Sequence, residues 1–341
     1  MKKAIVFKMK GLNLAIRRQI NQRLDKAMKP VIPFVSNGTN SAINKWIDHL
    51  ASAMPEETIK RIEDLSPEER LSADLAIVAN PDPEALKTLP NLIWVQSLWA
   101  GVEKMMEQFA NAPFEIVRLE DPEMAKAMAE AVLAWTLYLH RDMPKYTKQQ
   151  RESTWYEHDF GLAGGKHIGF LGLGNLGLEA ANALIKQDFT VSGWSRSEKS
   201  IDGVKTHFGD DGLKTMLGEI DILVCLIPLT DQTRGLINAD KLAAMKQGAS
   251  LINFARGPII NNEDLLAALN SGHIDHAVLD VFNVEPLPET SPFWQHPAIT
   301  VLPHISGPTN RTTASKTAAL NIAAYRDSGT IPKSANKARG Y

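Results

Sequence analysis

Gly165-Lys166-His167-Ile168-Gly169-Phe170-Leu171-Gly172-Leu173-Gly174-Asn175-Leu176-Gly177 decides how the rest of the chain is read. Residues 167–171 form a short apolar run stopped by glycine, which predicts a buried strand. Residues 176–186 predict a helix. Between them, Gly172 allows a tight turn, Gly174 lets the backbone approach a pyrophosphate, and Gly177 lets helix and strand pack closely. The phosphates would sit on the helix N-terminus, near Asn175 and Leu176. A glycine-rich turn occurs in many α/β proteins, but the strand before it and the helix after it are what dinucleotide binding demands.

The end of the next strand refines this expectation. About 20 residues on, an acid would bind the ribose 2′-hydroxyl of NAD and repel a 2′-phosphate. Here Val191-Ser192-Gly193-Trp194 leads instead into Ser195-Arg196-Ser197-Glu198-Lys199. The hydroxyls of Ser195 and Ser197, the Arg196 guanidinium and the Lys199 ammonium favour NADPH. NADH remains possible, with Glu198 as the ribose ligand, and a solvated mixed-charge turn is the bland alternative.

Working outward, further strands are expected at 190–194, 222–227, 250–254, 276–281 and 299–302, with helices at 239–246 and 262–270, the latter closed by Gly272. Upstream, strands at 3–7, 31–35, 75–78 and 92–96 alternate with helices at 12–24, 43–53 and 83–87, which implies a parallel sheet covered on both faces. Residues 55–71 read as a surface connection. Asp121-Pro122-Glu123 opens an Ala-rich helix at 125–139, and 140–165 reads as an exposed arm or linker. A last helix at 311–327 is too little for a domain and should return to the first one. The expected layout is a discontinuous substrate domain, 1–118 plus 306–341, around a dinucleotide-binding domain, 119–305.

Composition excludes several classes. The chain has 341 residues, 37 Lys and Arg against 39 Asp and Glu, and a formal charge of -2, with no sign of a nucleic-acid or membrane-surface face. It is 44% apolar and 22% charged, ordinary for a globular protein. A single cysteine, Cys225, rules out an intrachain disulfide and argues against a Cys-based metal site, so no metal is expected. The apolar run at 4–7 is too short for a signal peptide, and no stretch approaches 18 apolar residues. A cytoplasmic protein is expected.

Three segments then change the picture together. Asn253-Phe254-Ala255-Arg256-Gly257, Leu279-Asp280-Val281-Phe282 running to Glu285-Pro286, and Val301-Leu302-Pro303-His304 each end a predicted strand. Arg256, Glu285 and His304 thus fall at the carboxyl edge, where open α/β sheets bind ligands. Singly, Arg256 could pair with any acid, Glu285 could be solvated and His304 could be a satisfied buried histidine. Jointly, downstream of a dinucleotide fingerprint, they point to a reaction site.

In these segments, and in Ile227-Pro228-Leu229-Thr230 and Pro303-His304-Ile305-Ser306-Gly307-Pro308-Thr309, the sequence resembles the D-isomer-specific 2-hydroxyacid dehydrogenases. Ser195-Arg196, Glu285-Pro286-Leu287-Pro288, Ser291-Pro292-Phe293-Trp294-Gln295-His296-Pro297 and Ala338-Arg339-Gly340-Tyr341 are similar to the NADPH-preferring glyoxylate/hydroxypyruvate reductases of that family. The resemblance implies two Rossmann-like, doubly wound parallel-sheet domains with an interdomain cleft, usually in a homodimer. It implies reduction of glyoxylate or hydroxypyruvate to glycolate or D-glycerate. After Arg256-Gly257 the chain departs from the family at Pro258-Ile259-Ile260-Asn261-Asn262, with Asn262 expected to cap the helix.

The residue chemistry suits that reaction. Arg256 offers a bidentate fork for the substrate carboxylate and carbonyl oxygen. His304 is the expected proton donor, and Glu285 should orient it and favour its charged form. The resemblance adds a carboxylate-binding turn at Trp99-Ala100-Gly101-Val102, Asp280 at the nicotinamide carboxamide, Pro228 lining the cofactor cleft, and Trp46 over the substrate. Trp46 could equally be core. Competing functions are a dinucleotide-sensing binding protein on the same fold, a dehydrogenase for D-lactate, D-3-phosphoglycerate or formate, and, lowest, a methyltransferase. No partner tail or basic patch favours the first, and Arg256, Glu285 and His304 have no role in the last.

Overall fold

A computed structural model describes residues 30–159, 161–337 and 340. The strand expected at 3–7, the helix at 12–24 and the motif residues Ala338, Arg339 and Tyr341 lie outside the described residues. The chain divides into two compact units. One runs to Leu119 and takes in Arg311–Ala335; the other comprises Glu120–Asn310 and Asn336–Tyr341. The second boundary thus falls at 310/311 rather than the expected 305/306, and residues 336 and 337, expected in the first domain, group with the second unit. The reason is local: the Ile305 and Ser306 amides hang on Asp280 of the second unit.

The first unit has five strands among the described residues: β1 (Ile32–Ser36), β2 (Ile59–Arg61), β3 (Leu75–Ala79), β4 (Trp94–Ser97) and β5 (Glu115–Val117). They pair in parallel in the order β2-β1-β3-β4-β5, the flavodoxin-like doubly wound arrangement. Every residue of the central β3 is buried, as a sheet covered on both faces requires. The helix Arg311–Ser328 packs on the helix Asn40–Ala53. Polar anchors draw it back to this sheet. Asn321 Nδ2 donates to Gln96 Oε1 at 2.8 Å. The Tyr325 hydroxyl and Arg326 Nη1 both donate to the Asp74 carboxylate, at 3.0 and 3.1 Å.

The second unit holds β6 (His167–Leu171), β7 (Thr190–Ser195), β8 (Lys205–Phe208), β9 (Ile222–Cys225), β10 (Ala249–Asn253), β11 (Ile274–Leu279) and β12 (Ile299–Val301). They form a parallel sheet in the order β12-β11-β10-β9-β6-β7-β8, a Rossmann order whose direction reverses between β9 and β6. Successive residues serve opposite faces. Leu223 and Cys225 of β9 pack toward the helices Gly209–Glu219 and Asn262–Asn270. Ile222 and Val224 pack with Phe170 and with Val132 of the helix Pro122–His140 on the other face. Asp121 caps that helix, accepting from the Glu123 amide at 3.0 Å.

Several elements depart from the sequence expectations. The stretch 55–71 is not a mere connection. It contains the edge strand β2, and a helix, Pro67–Ser72, with a Ser66/Glu69 capping box. β2 has three half-buried residues and so no apolar run to read. The helices Glu103–Gln108 and Gly209–Glu219 and the strands β5 and β8 were also not expected; these strands are short and lie at sheet edges. The arm at 140–165 carries a helix, Met143–Arg151, with no buried residue. Asn261, not Asn262, caps the helix Asn262–Asn270, its Oδ1 accepting from the Glu263 and Asp264 amides. None of the helices among the described residues is long and apolar enough to cross a membrane.

His276 gives the fold a pH dependence. It lies buried in β11 with Nε2 2.9 Å from Thr300 Oγ1. Burial pushes its pKa down to about 4, and His296 adds to the shift. The unfolded chain therefore binds the extra proton first as pH falls below the ordinary histidine value of about 6.5. Stability present at neutral pH should be lost between about pH 6.5 and 4, by roughly 3 kcal/mol from this residue. Denaturant titrations across that window should show the loss, and His276→Gln should flatten it. His140, His167 and His207, shifted the same way by burial, would leave a residual slope.

Candidate functional site

The turn after β6 has the geometry its glycines predict. Gly172 adopts φ +102°, and a Cβ there would meet the Ile227 backbone nitrogen at 2.9 Å. A Cβ on Gly177 would fall on the Gly172 carbonyl oxygen, so helix and strand touch through backbone alone. At Gly174 a Cβ would meet nothing within 4 Å, which leaves the outer side of the turn open. Gly174 is also the N-cap of the helix Asn175–Ile185 and brings no side-chain acceptor to its first amides. Uncapped amides at the positive end of a three-turn helix, beside open space, fit a pyrophosphate. The residues present therefore suit a nicotinamide dinucleotide.

At the end of β7, Ser195 Oγ donates to the Ser197 carbonyl at 2.7 Å. Arg196 Nη1 donates to Gln232 Oε1 at 3.1 Å. Lys199 Nζ donates to the Leu173 carbonyl at 3.0 Å, which ties this cluster to the glycine-rich turn. Two hydroxyls, a guanidinium and an ammonium thus stand together beside the dinucleotide turn. Pro228 follows β9, and its carbonyl accepts from Thr233 Oγ1 at 2.8 Å.

The carboxyl ends of β10, β11 and β12 carry the remaining residues. Arg256 leaves β10 on a short turn bracketed from within by Asn253. Asn253 Oδ1 accepts from the Ala255 amide and its Nδ2 donates to the Arg256 carbonyl, both at 3.1 Å. Arg256 Nη1 donates to the Ala255 carbonyl at 2.6 Å. The next residue must be glycine, because a Cβ on Gly257 would fall on the Phe282 carbonyl carbon. That contact brings the Arg256 turn onto the loop that carries Glu285. Glu285 Oε1 accepts from the Phe282 amide at 2.9 Å, and its Oε2 lies 2.8 Å from His304 Nδ1. The carboxylate accepts from Nδ1–H, which leaves Nε2 as the second nitrogen of a half-exposed imidazole. His304 itself has a left-handed backbone, φ +56°.

Asp280 follows directly on β11, almost without solvent exposure. Its two carboxylate oxygens accept from the amides of Ile305, at 2.7 Å, and Ser306, at 2.9 Å. Asn253 was missed by sequence reasoning; its signal is a polar residue closing an otherwise apolar strand. Gln232 was missed because it lies far along the chain from Arg196 and stands in a polar loop.

In the first unit, Trp46 lies within the helix Asn40–Ala53 and is buried. It meets Trp99 edge-on with ring centroids 6.0 Å apart, and the Arg311 guanidinium lies 5.4 Å from its centroid. Trp99, Ala100, Gly101 and Val102 form the turn from β4 to the helix Glu103–Gln108, which has no side-chain cap. Ser97 Oγ holds that turn, accepting from the Trp99 amide at 3.1 Å.

Residues 133–306 match the model of the D-isomer specific 2-hydroxyacid dehydrogenase, NAD binding domain. A glyoxylate/hydroxypyruvate reductase A of Yersinia enterocolitica is 37% identical over 293 residues, 82% of this chain and 90% of that protein. The chain belongs to the D-isomer-specific 2-hydroxyacid dehydrogenase family. Among solved structures, a family member from Xanthobacter autotrophicus Py2 in complex with NADPH and MES superposes with a TM-score of 0.85, at 36% identity over 92% of this chain and 100% of that one. An NADPH-dependent glyoxylate/hydroxypyruvate reductase from Sinorhizobium meliloti, in complex with NADP and sulfate, gives 0.81 at 30% identity over 92% and 100%. The protein is therefore an enzyme of D-2-hydroxyacid oxidoreduction with two parallel-sheet domains, one of them an NAD(P)-binding domain.

Proposed function

We propose that this family member reduces small 2-oxo acids, glyoxylate and hydroxypyruvate above bulkier ones, to glycolate and D-glycerate with NADPH. The observation that carries this is the 2.8 Å Glu285–His304 pair on the same sheet edge as Arg256 and the dinucleotide turn. The names of the relatives from Yersinia enterocolitica and Sinorhizobium meliloti support the substrate class. Bound NADPH supplies the hydride. Gly172, Gly174, Asn175, Leu176 and Gly177 would hold its pyrophosphate, Ser195, Arg196, Ser197 and Lys199 its 2′-phosphate, and Pro228 and Asp280 its nicotinamide half.

Arg256 presents a planar fork to the substrate carboxylate and carbonyl oxygen and stabilises the charge that grows on that oxygen. His304 donates a proton from Nε2, while Glu285 accepts from Nδ1–H and stabilises the imidazolium. The turn amides at Ala100, Gly101 and Val102 are assigned to the substrate carboxylate. Trp99, backed by Trp46, is assigned to the pocket wall. Such a wall separates homologous substrates by only about 1–3 kcal/mol per methylene, so the preference is graded.

Two kinetic variants test the roles. His304→Asn keeps a residue that tolerates the left-handed backbone and should lower kcat by about 10²–10⁴. Arg256→Ala should raise KM and lower kcat together. Near-normal turnover in either variant removes that residue from the mechanism.

NADPH should bind better than NADH. Charge-assisted bonds to a partly exposed phosphate are worth roughly 1.5–3 kcal/mol, or about 10- to 150-fold in affinity. Ser195→Asp combined with Arg196→Ala should weaken NADPH and leave turnover at saturating NADH nearly unchanged. A wild-type KM for NADH at or below that for NADPH would reject the assignment.

A homodimer is also proposed. Leu137 and Met143 are partly exposed, and Trp155, Tyr156 and Leu162 stand out strongly along the same stretch of the second unit. Apolar side chains exposed in such number call for cover, and a second copy is the commonest partner. Light scattering at micromolar concentration should give about twice the 37.6 kDa chain mass; a monomer would contradict the proposal.

A further inference from the structure

His304 occupies the left-handed region that a β-carbon disfavours, so something must hold it there. The next two amides identify the holder. Ile305 N–H and Ser306 N–H converge on one carboxylate, each taking its own oxygen of Asp280, at 2.7 and 2.9 Å. Asp280 is fixed in turn. Its own amide donates to the Asn253 carbonyl at 3.1 Å, so it is an extension of the ladder between β10 and β11. Ser306 is buried with its amide, and without the carboxylate that donor would lose its acceptor away from water.

The two ends of the histidine are therefore constrained separately. Glu285 sets the ring orientation through Nδ1, and Asp280 sets the backbone from which the ring projects. We propose that Asp280 is a positioning residue for the proton donor: its carboxylate clamps the 304–306 turn, and it acts on reduction through His304. This rests on the reading of His304 as the proton donor. It assigns Asp280 a role separate from any direct contact with the nicotinamide. Amides that bond to a carboxylate make short, strong contacts, so the clamp is stiff. A displacement of about 1 Å at a reacting group costs on the order of 10²-fold in rate, which sets the scale.

The test is a double-mutant cycle on the full chain with Asp280→Asn and His304→Asn. The amide in Asp280→Asn keeps one acceptor and turns a donor toward the other backbone N–H. Rates are expressed per NADPH-binding site, so that loss of folded protein does not count as loss of turnover. Asp280→Asn should lower kcat at saturating NADPH by about 10- to 100-fold and speed amide hydrogen exchange at Ile305 and Ser306. In the His304→Asn background the same substitution should change the rate by less than about threefold, because the group it aims is gone. Asp280→Glu, which keeps the charge and both acceptors, should recover part of the loss. Effects that multiply across the cycle would overturn the proposal, as would NADPH binding that weakens in step with kcat while exchange stays slow. The underlying reading fails separately: normal turnover in His304→Asn alone removes the proton donor and this role with it. A crippled His304→Asn beside a normal Asp280→Asn rejects only the clamp.

Discussion

Two backbone hydrogen bonds just beyond the strands set the rest of the carboxyl edge of the second sheet. The Asp280 amide donates to the Asn253 carbonyl at 3.1 Å, and the Leu302 amide donates to the Leu279 carbonyl at 2.9 Å. They carry the parallel ladder past the named ends of β10, β11 and β12, and hence fix where three loops begin. The loop after β11 then meets both neighbours: Phe282 lies against Gly257 of one, and Glu285 and Asp280 bond His304, Ile305 and Ser306 of the other. Catalytic side chains on loops gain precision only when the scaffold below is rigid. Here the scaffold is a sheet whose central strands are buried along their whole length.

The cofactor half is built on a different principle. Around Gly172, Gly174 and Gly177 the chain works by leaving side chains out, so that backbone amides and backbone packing occupy the space. Around Ser195, Arg196, Ser197 and Lys199 it works by adding polar and cationic groups to an exposed strand end. Lys199 links the two, since its ammonium holds the Leu173 carbonyl inside the glycine-rich turn. The cluster that would read the ribose is thereby attached to the turn that would hold the pyrophosphate.

Much of this was legible in the sequence, for a physical reason. Parallel strands buried on both faces leave dense apolar runs, and 167–171 and 250–254 stand out accordingly. Gly172, Gly174 and Gly177 announce a backbone conformation that other residues resist. The edge elements were not legible. β2 and β8 are short and half-exposed, so their residues are not selected for an unbroken apolar pattern, and the helix Met143–Arg151 buries nothing that would mark a period. Side-chain braces were hidden as well. Asn253 and Gln232 matter through the backbone turn or guanidinium they meet, a relation set by tertiary proximity. The sequence placed Asp280 at the right edge, and the two amides on its carboxylate emerged only with the fold.

Cys225 closes β9 at the middle of the second sheet, fully buried, and burial pushes its thiol up to about 12. It is the chain's sole cysteine. A thiol so protonated and so covered offers oxidants and alkylating agents almost no thiolate while the sheet is closed. The enzyme thus carries no exposed sulfhydryl. The one thiol becomes reactive only when the central strands part.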